Sequence, residues 1–169
     1  MLKESVLKLI NRQIERESYS SHLYLSMAAW SENQGLEGTS KWLYAQSDEE
    51  RLHLLKFIGY INERGGKAVV SGMEQPPVEF TSVKKLFEQV LEHEVFISES
   101  INELAYQAMQ EKDLTTYNYM QWFITEQLEE EKSVKAILDK INLIGDGNLY
   151  VFDKDVFGLR TPATTTSAT

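Results

Sequence analysis

The sequence predicts an all-α fold: four long helices bundled as two antiparallel pairs, a long crossover between helices 2 and 3, and a short carboxy-terminal fifth helix. Three observations carry this. Proline is confined to Pro76, Pro77 and Pro162, which leaves long stretches rich in Leu, Glu, Lys, Gln and Ala, the residues that lose least on entering a helix. Apolar residues recur in those stretches at alternating three- and four-residue steps. Gly35, Gly65-Gly66 and Gly145 then punctuate them.

The elements follow in order. The first helix is expected over residues 3–34, stopping at Gly35. The second, over 38–64, starts at Gly38 or Thr39 and stops at Gly65-Gly66. The third, over 82–112, is opened by the cap candidates Thr81 and Ser82. The fourth, over 114–144, is capped by Asp113 and ends before Gly145. A short fifth, over 148–157, stops at Gly158. Residues 1–159 then form one domain, and 160–169 a polar, low-complexity, flexible tail.

Each main helix has close to thirty residues, or roughly 45 Å of length. The breaks between the first and second, and between the third and fourth, are short, so each of those pairs is antiparallel. The break from Gly65 to Thr81 is long enough to reach roughly 55 Å when extended. It can run the length of a helix and bring the third in parallel to the second.

Composition narrows the function. Lys and Arg total 17 against 26 Asp and Glu, a formal net charge of −9, which disfavours nucleic acid and anionic lipid as partners and favours metal ions. Cysteine is absent, which excludes disulfides, thiolate metal sites, iron–sulfur clusters and thiol catalysis. His22, His53 and His93 are the only histidines, which disfavours an all-histidine metal site. No apolar run reaches membrane-spanning length, and the amino terminus lacks a signal-peptide pattern, so a cytoplasmic location is expected.

The centre of every apolar stripe is polar. The first helix reads Leu7, Ile10, Ile14, Glu17, Ser21, Tyr24, Ala28. The second reads Leu43, Gln46, Glu50, His53, Phe57, Tyr60. The third reads Phe87, Val90, Glu94, Ile97, Ile101, Leu104, Ala108. The fourth reads Met120, Phe123, Gln127, Glu130, Val134, Ile137, Ile141. Midpoints of equal, side-by-side helices coincide whichever way each runs. Glu17, Glu50, Glu94 and Glu130 are therefore expected to converge, with His53 one turn from Glu50 on the same face. One buried glutamate alone reads as a hydrogen-bonded structural residue; four at matching depth read as a site. Uncompensated carboxylates in a core repel one another and take up protons, whereas two divalent cations would balance them.

The ligands can be sorted. Glu50 and His53 present oxygen and nitrogen to one metal from adjacent turns, and Glu17 completes it. Glu94 and Glu130 serve a second metal, with Glu50 bridging, and Gln127 offers a neutral amide beside them. Hard oxygen ligands with one imidazole suit iron(II) and manganese(II), and tolerate zinc. By spacing alone, Tyr24 and Trp122 read as packing, Glu131 as a solvated acid, and His22 and His93 as lying off the ligand face.

With these residues in view, the chain resembles the ferritins, specifically the prokaryotic non-haem branch of the ferritin-like superfamily. The resemblance runs to about Leu159. It rests on the crossover, the motif Asp48-Glu49-Glu50-Arg51-Leu52-His53, the acidic run from Gln127 to Glu131 and the short fifth helix. It implies iron storage and detoxification. An intrasubunit dinuclear ferroxidase centre would oxidise Fe(II) with O2, or with H2O2, and ferric oxide mineral would be held in a hollow homo-oligomer of 24 subunits. It implies the first iron site at Glu17, Glu50 and His53, and the second at Glu50, Glu94 and Glu130 with Gln127 beside it. A third is implied at Glu49, Glu126 and Glu129, sharing Glu130. Tyr24 matches a tyrosine beside the centre, and the fifth helix is expected around a symmetry axis.

Departures narrow the branch. The fourth helix reads Gln127-x-x-Glu130 where bacterioferritins repeat the Glu-x-x-His step, and Leu52 stands where they present a haem-ligating methionine, so no haem is expected. Two rival readings remain: a non-storage di-iron oxygenase or peroxidase of the same bundle fold, and a structural bundle whose polar layer only sets helix register.

Overall fold

A computed structural model describes residues 2–145 and 147–160; of the expected flexible tail, 160–169, Arg160 is instead docked against Glu49 and Ala45, and 161–169 lie outside the described residues. The elements are α1 (Glu4–Asn33), α2 (Glu37–Glu63), α3 (Val83–Gln110), α4 (Leu114–Ile144) and α5 (Leu149–Val156), followed by a single 3₁₀ turn, Phe157–Leu159. Every helix boundary lies within two residues of its sequence expectation.

The caps explain that agreement. Ser82 Oγ accepts from Lys85 N at 3.1 Å and Asp113 Oδ1 from Thr116 N at 3.1 Å, so both cap candidates close their helix starts. Gly35 and Gly65 take positive φ values of 76° and 72° at the ends of α1 and α2. No glycine marks the end of α3. Lys112 turns the chain instead, at φ 58°, a conformation that lysine adopts only at a cost.

α1 pairs with α2 and α3 with α4, and α1 also packs against α3. α2 and α4 meet through aromatic rings: Phe57 stacks on Phe123 at 4.1 Å and Tyr60 on Tyr119 at 3.9 Å. The crossover runs along α1. Val69 N donates to Asn11 Oδ1 at 2.7 Å, Ser26 Oγ to the Pro77 carbonyl at 2.6 Å, and Phe80 meets Trp30 edge-on at 5.6 Å. It thus returns the chain to the end of the bundle where α2 begins, and α3 enters parallel to α2 as expected.

The apolar core is split in two. One cluster contains Val6, Ile10, Ile14, Phe57, Ile97, Ile101 and Phe123; the other contains Tyr24, Met27, Trp42, Leu43, Phe87, Val90 and Ile137. The polar members of the four stripes lie between them. α5 buries Phe152 and Val156 against its own bundle, while Leu149, Tyr150, Val151 and Phe157 face outward. Its own-bundle docking and an outward apolar face are therefore both present. No described helix is long and apolar enough to cross a membrane.

Candidate metal centre

Each long helix delivers its acidic residue to the layer between the two apolar clusters, and Glu17, Glu50, His53, Glu94, Gln127 and Glu130 are all buried. The i, i+3 step on α2 sets Glu50 and His53 on one face. His53 Nδ1 lies 3.6 Å from Glu50 Oε2 and 3.7 Å from Glu17 Oε2. The three residues offer ligand atoms within 4.8 Å of one another, close enough to share one ion.

Glu94 and Glu130 occupy the other half of the layer. The Tyr24 hydroxyl donates to Glu94 Oε1. Gln127 Nε2 donates to Glu94 Oε2 at 3.1 Å and to the Glu94 carbonyl at 3.2 Å. Gln46 Nε2 donates to Glu130 Oε2 at 2.8 Å. On the first half, Gln13 Nε2 donates to Glu17 Oε1 at 2.7 Å, and Gln13 Oε1 accepts from Ser100 Oγ at 2.8 Å.

What the layer leaves unpaired is as informative. Glu17 Oε2, Glu50 Oε1 and His53 Nε2 are buried without a hydrogen-bond partner. Such atoms cost free energy unless something satisfies them. All three are of metal-ligand type and lie in one layer, so the donor set fits hard or borderline divalent cations.

The electrostatics agree. Burial drives Glu50 well above the usual carboxylate range, and the Glu94 charge adds to it. Burial likewise raises Glu130, helped by Glu94 and Glu49. Glu94 is pushed up to about 7 by burial, against the hydrogen bonds from Tyr24 and Gln127. Burial alone would lower His53, but Glu17 and Glu50 outweigh it and raise the imidazole well above its ordinary value. Glu17 feels the same burial, yet its contacts with His53 bring it below the ordinary value. Burial and mutual repulsion thus favour the protonated forms of Glu50, Glu94 and Glu130, while Glu17 and His53 favour each other's charged form.

A second cluster adjoins the first. Glu49, His53 and Glu126 also bring ligand atoms within 4.8 Å of one another, and all three are buried. Glu129, grouped with Glu49 and Glu126 from the resemblance, is half-buried and joins neither three-residue cluster. Sequence reasoning missed Arg160, which follows the 3₁₀ turn and pairs with Glu49. It also gave no role to Gln13, Gln46 or Ser100. Their signal was a neutral amide or hydroxyl on a core face, one turn from a glutamate or across from it.

The remaining singled-out residues are placed as follows. Trp122 packs edge-on against His53 at 5.5 Å, with Lys56 Nζ 4.2 Å from a ring centroid of the indole. His22 is exposed, its Nδ1 2.9 Å from the Ser18 carbonyl. His93 is half-buried and joins neither metal-ligand cluster: it packs against α1, with Nε2 2.7 Å from Ser20 Oγ and its ring 5.7 Å from Tyr19 and 5.9 Å from Tyr24. Burial lowers it to about 4. Glu131 pairs with Lys135 at 2.7 Å and accepts from Ser98 Oγ at 2.8 Å.

Fold and site together define a four-helix bundle with a buried carboxylate–histidine centre, a class built to hold metal ions between its helices. Residues 7–144 match the family model of the ferritin-like domain, and the chain belongs to that family. Among curated relatives, a probable bacterial non-haem ferritin-like protein of Haemophilus influenzae is 47% identical over 96% of this chain and 100% of its own length. The bacterial non-haem ferritin of Campylobacter jejuni is 42% identical over 91% of this chain and 93% of its own. Among solved structures, an open-pore ferritin from the hyperthermophilic archaeon Archaeoglobus fulgidus superposes with a TM-score of 0.91 at 43% identity, covering 95% of this chain and 98% of that one.

Proposed function

We propose that this chain is an iron-storage ferritin with ferroxidase activity. It takes Fe(II) as substrate at the buried centre, passes one electron from each of two ions to O2, and stores the ferric product as mineral inside a homo-oligomeric shell of 24 copies. The observation that carries the reading is the buried layer with three unpartnered ligand atoms, Glu17 Oε2, Glu50 Oε1 and His53 Nε2.

In this reading Glu17, Glu50 and His53 hold the first ion, and Glu50, Glu94 and Glu130 the second, with Gln127 orienting Glu94. The second ion has no imidazole and binds more weakly, so iron passes through as substrate. The carboxylate shell favours the harder ferric state. Its charge balances two ferrous ions and, equally, two ferric ions with one oxide taken from water, whose two protons leave with the reduced O2 as hydrogen peroxide. Binding displaces the protons that the metal-free carboxylates hold. Tyr24 steadies Glu94 through its hydroxyl. Glu49, Glu126 and Glu129, with Glu130, receive iron on its way out.

Size-exclusion chromatography after loading with ferrous salt under air tests this. Storage requires a particle of several hundred kilodaltons carrying far more iron than two ions per chain. A small particle that keeps only two ions would point to an oxygenase or peroxidase, and one that keeps none to a structural bundle.

A further inference from the structure

Arg160 stands at the one place where the described carboxy-terminal segment touches an acidic cluster. Its Nη2 pairs with Glu49 and donates to the Ala45 carbonyl at 3.3 Å, and its Nε is buried without a partner. Glu49 is itself buried, belongs to the Glu49–His53–Glu126 cluster, and feels the charge of Glu126. Resting on the third-site reading above, we propose that Arg160 is a tethered cation that competes with the metal ion at Glu49 and so keeps this site weak and transient.

The chemistry supports competition over simple anchoring. A guanidinium donates five N–H groups and accepts none, so it can never be a ligand. It can only neutralise the carboxylate that a metal would use. A structural arginine clamp engages its carboxylate through two parallel bonds. Arg160 instead spreads one Nη over a carboxylate and a long bond to a backbone carbonyl, and leaves Nε unsatisfied. That is a displaceable hold. Its position is nevertheless fixed from behind. Leu159 packs on the core, Phe152 and Val156 are buried, and the Arg160 amide donates to the Phe157 carbonyl at 3.3 Å. The docked fifth helix therefore keeps a positive charge beside Glu49 until a cation of higher charge displaces it.

The test is calorimetric titration of the assembled, full-length protein with Zn²⁺, which is redox-inert, in the absence of iron. Wild type should fill a first site tightly, a second less tightly and a third most weakly. Arg160→Gln keeps the length and removes the charge; its third step should tighten about tenfold while the first two stay unchanged. Arg160→Lys should behave as wild type. A third step that is unmoved or weakened in Arg160→Gln overturns the role given to Arg160, since a residue that merely orients Glu49 gives that result. No third step in either protein overturns the third-site reading itself, and the Arg160 proposal with it.

Discussion

Gln13 holds Glu17 by a single charge-assisted hydrogen bond, Nε2 to Oε1 at 2.7 Å, and is itself pinned by Ser100 Oγ at 2.8 Å. One oxygen of the carboxylate is thereby committed and the other, Oε2, is left open toward His53. Partners of this kind orient a ligand and tune its basicity. Gln13→Leu keeps the volume and removes the donor. It should weaken Zn²⁺ binding at the first site about tenfold with helix content unchanged. An isotherm matching wild type would show that Glu17 needs no such support.

The layer itself was legible from sequence because it depends only on where each stripe is interrupted. Glu17, Glu50, Glu94 and Glu130 sit near the midpoints of four helices of similar length, and midpoints align in any up-and-down packing. Helix ends were legible where Ser82, Asp113, Gly35 and Gly65 mark them; Lys112 carries no such mark, because nothing local announces a left-handed lysine. Gln13 and Ser100 stayed silent because a neutral side chain at a core position reads as filler until its partner is placed. Arg160 could not be read at all. Its pairing with Glu49 spans 111 residues and depends on where the fifth helix lands. The partners of His93 could not be read for a related reason. An angular offset from Glu94 says which face a residue leaves, not that Ser20 and Tyr19 of α1 cover it there.

Glu94 and Glu130 belong to the half of the layer without an imidazole. Glu94→Gln and Glu130→Gln each remove one carboxylate, a ligand in the proposed second site, while keeping a buried polar side chain. Rapid ferrous oxidation, followed by stopped-flow absorbance, should slow at least about tenfold in each. Elution volume should stay that of wild type. Wild-type rates in both variants would remove these residues from the second site.

Glu94 also sets a pH dependence. Its pKa is raised from the ordinary 4.5 to about 7, so between those values the folded protein holds a proton that the unfolded chain has released. The sign follows: this group favours the metal-free fold most at low pH, and the advantage is lost as pH rises through 7. A metal ion needs the ionised form, so binding releases the proton and tightens as pH rises toward 7. Calorimetry of Zn²⁺ binding at pH 6, in two buffers of different ionisation enthalpy, should therefore count fewer released protons for Glu94→Gln than for wild type. Equal counts would contradict the raised value.

His93 has the opposite sign. Burial lowers it from 6.5 to about 4, so between those values the unfolded chain takes up a proton that the folded one refuses. Stability from this group is complete above 6.5 and drains away as the pH falls toward 4. His93→Gln keeps a polar partner for Ser20 and removes the titration. The thermal midpoint of the metal-free protein should fall less between pH 6.5 and 4.5 in this variant than in wild type. A parallel fall would mean that His93 is charged in the fold.

Asp153 ties the fifth helix to the start of the second. Its carboxylate accepts from Gly38 N at 3.0 Å, from Thr39 N at 2.8 Å and from Thr39 Oγ1 at 2.8 Å. A carboxylate there satisfies orphan amides of α2 and meets the positive end of its dipole. The approach is so close that a Cβ on Gly38 would collide with the Asp153 carbonyl oxygen, which explains a glycine in the first turn of a helix. An eight-residue helix cannot stand alone, so this cap and the burial of Phe152 and Val156 are what hold it. Asp153→Ala should cost about 1–2 kcal/mol and expose the amides of α5 to hydrogen exchange while α1 to α4 stay protected. Tyr150 is 81% exposed; it lines the same surface cleft as Gly38 and Asp153 but makes none of those hydrogen bonds. If the outward face of α5 joins copies in the shell, Tyr150→Glu should shift the particle to smaller species with subunit stability unchanged, and Asp153→Ala should do the same with stability reduced. Full-size particles from Tyr150→Glu would leave α5 with only its intrasubunit role.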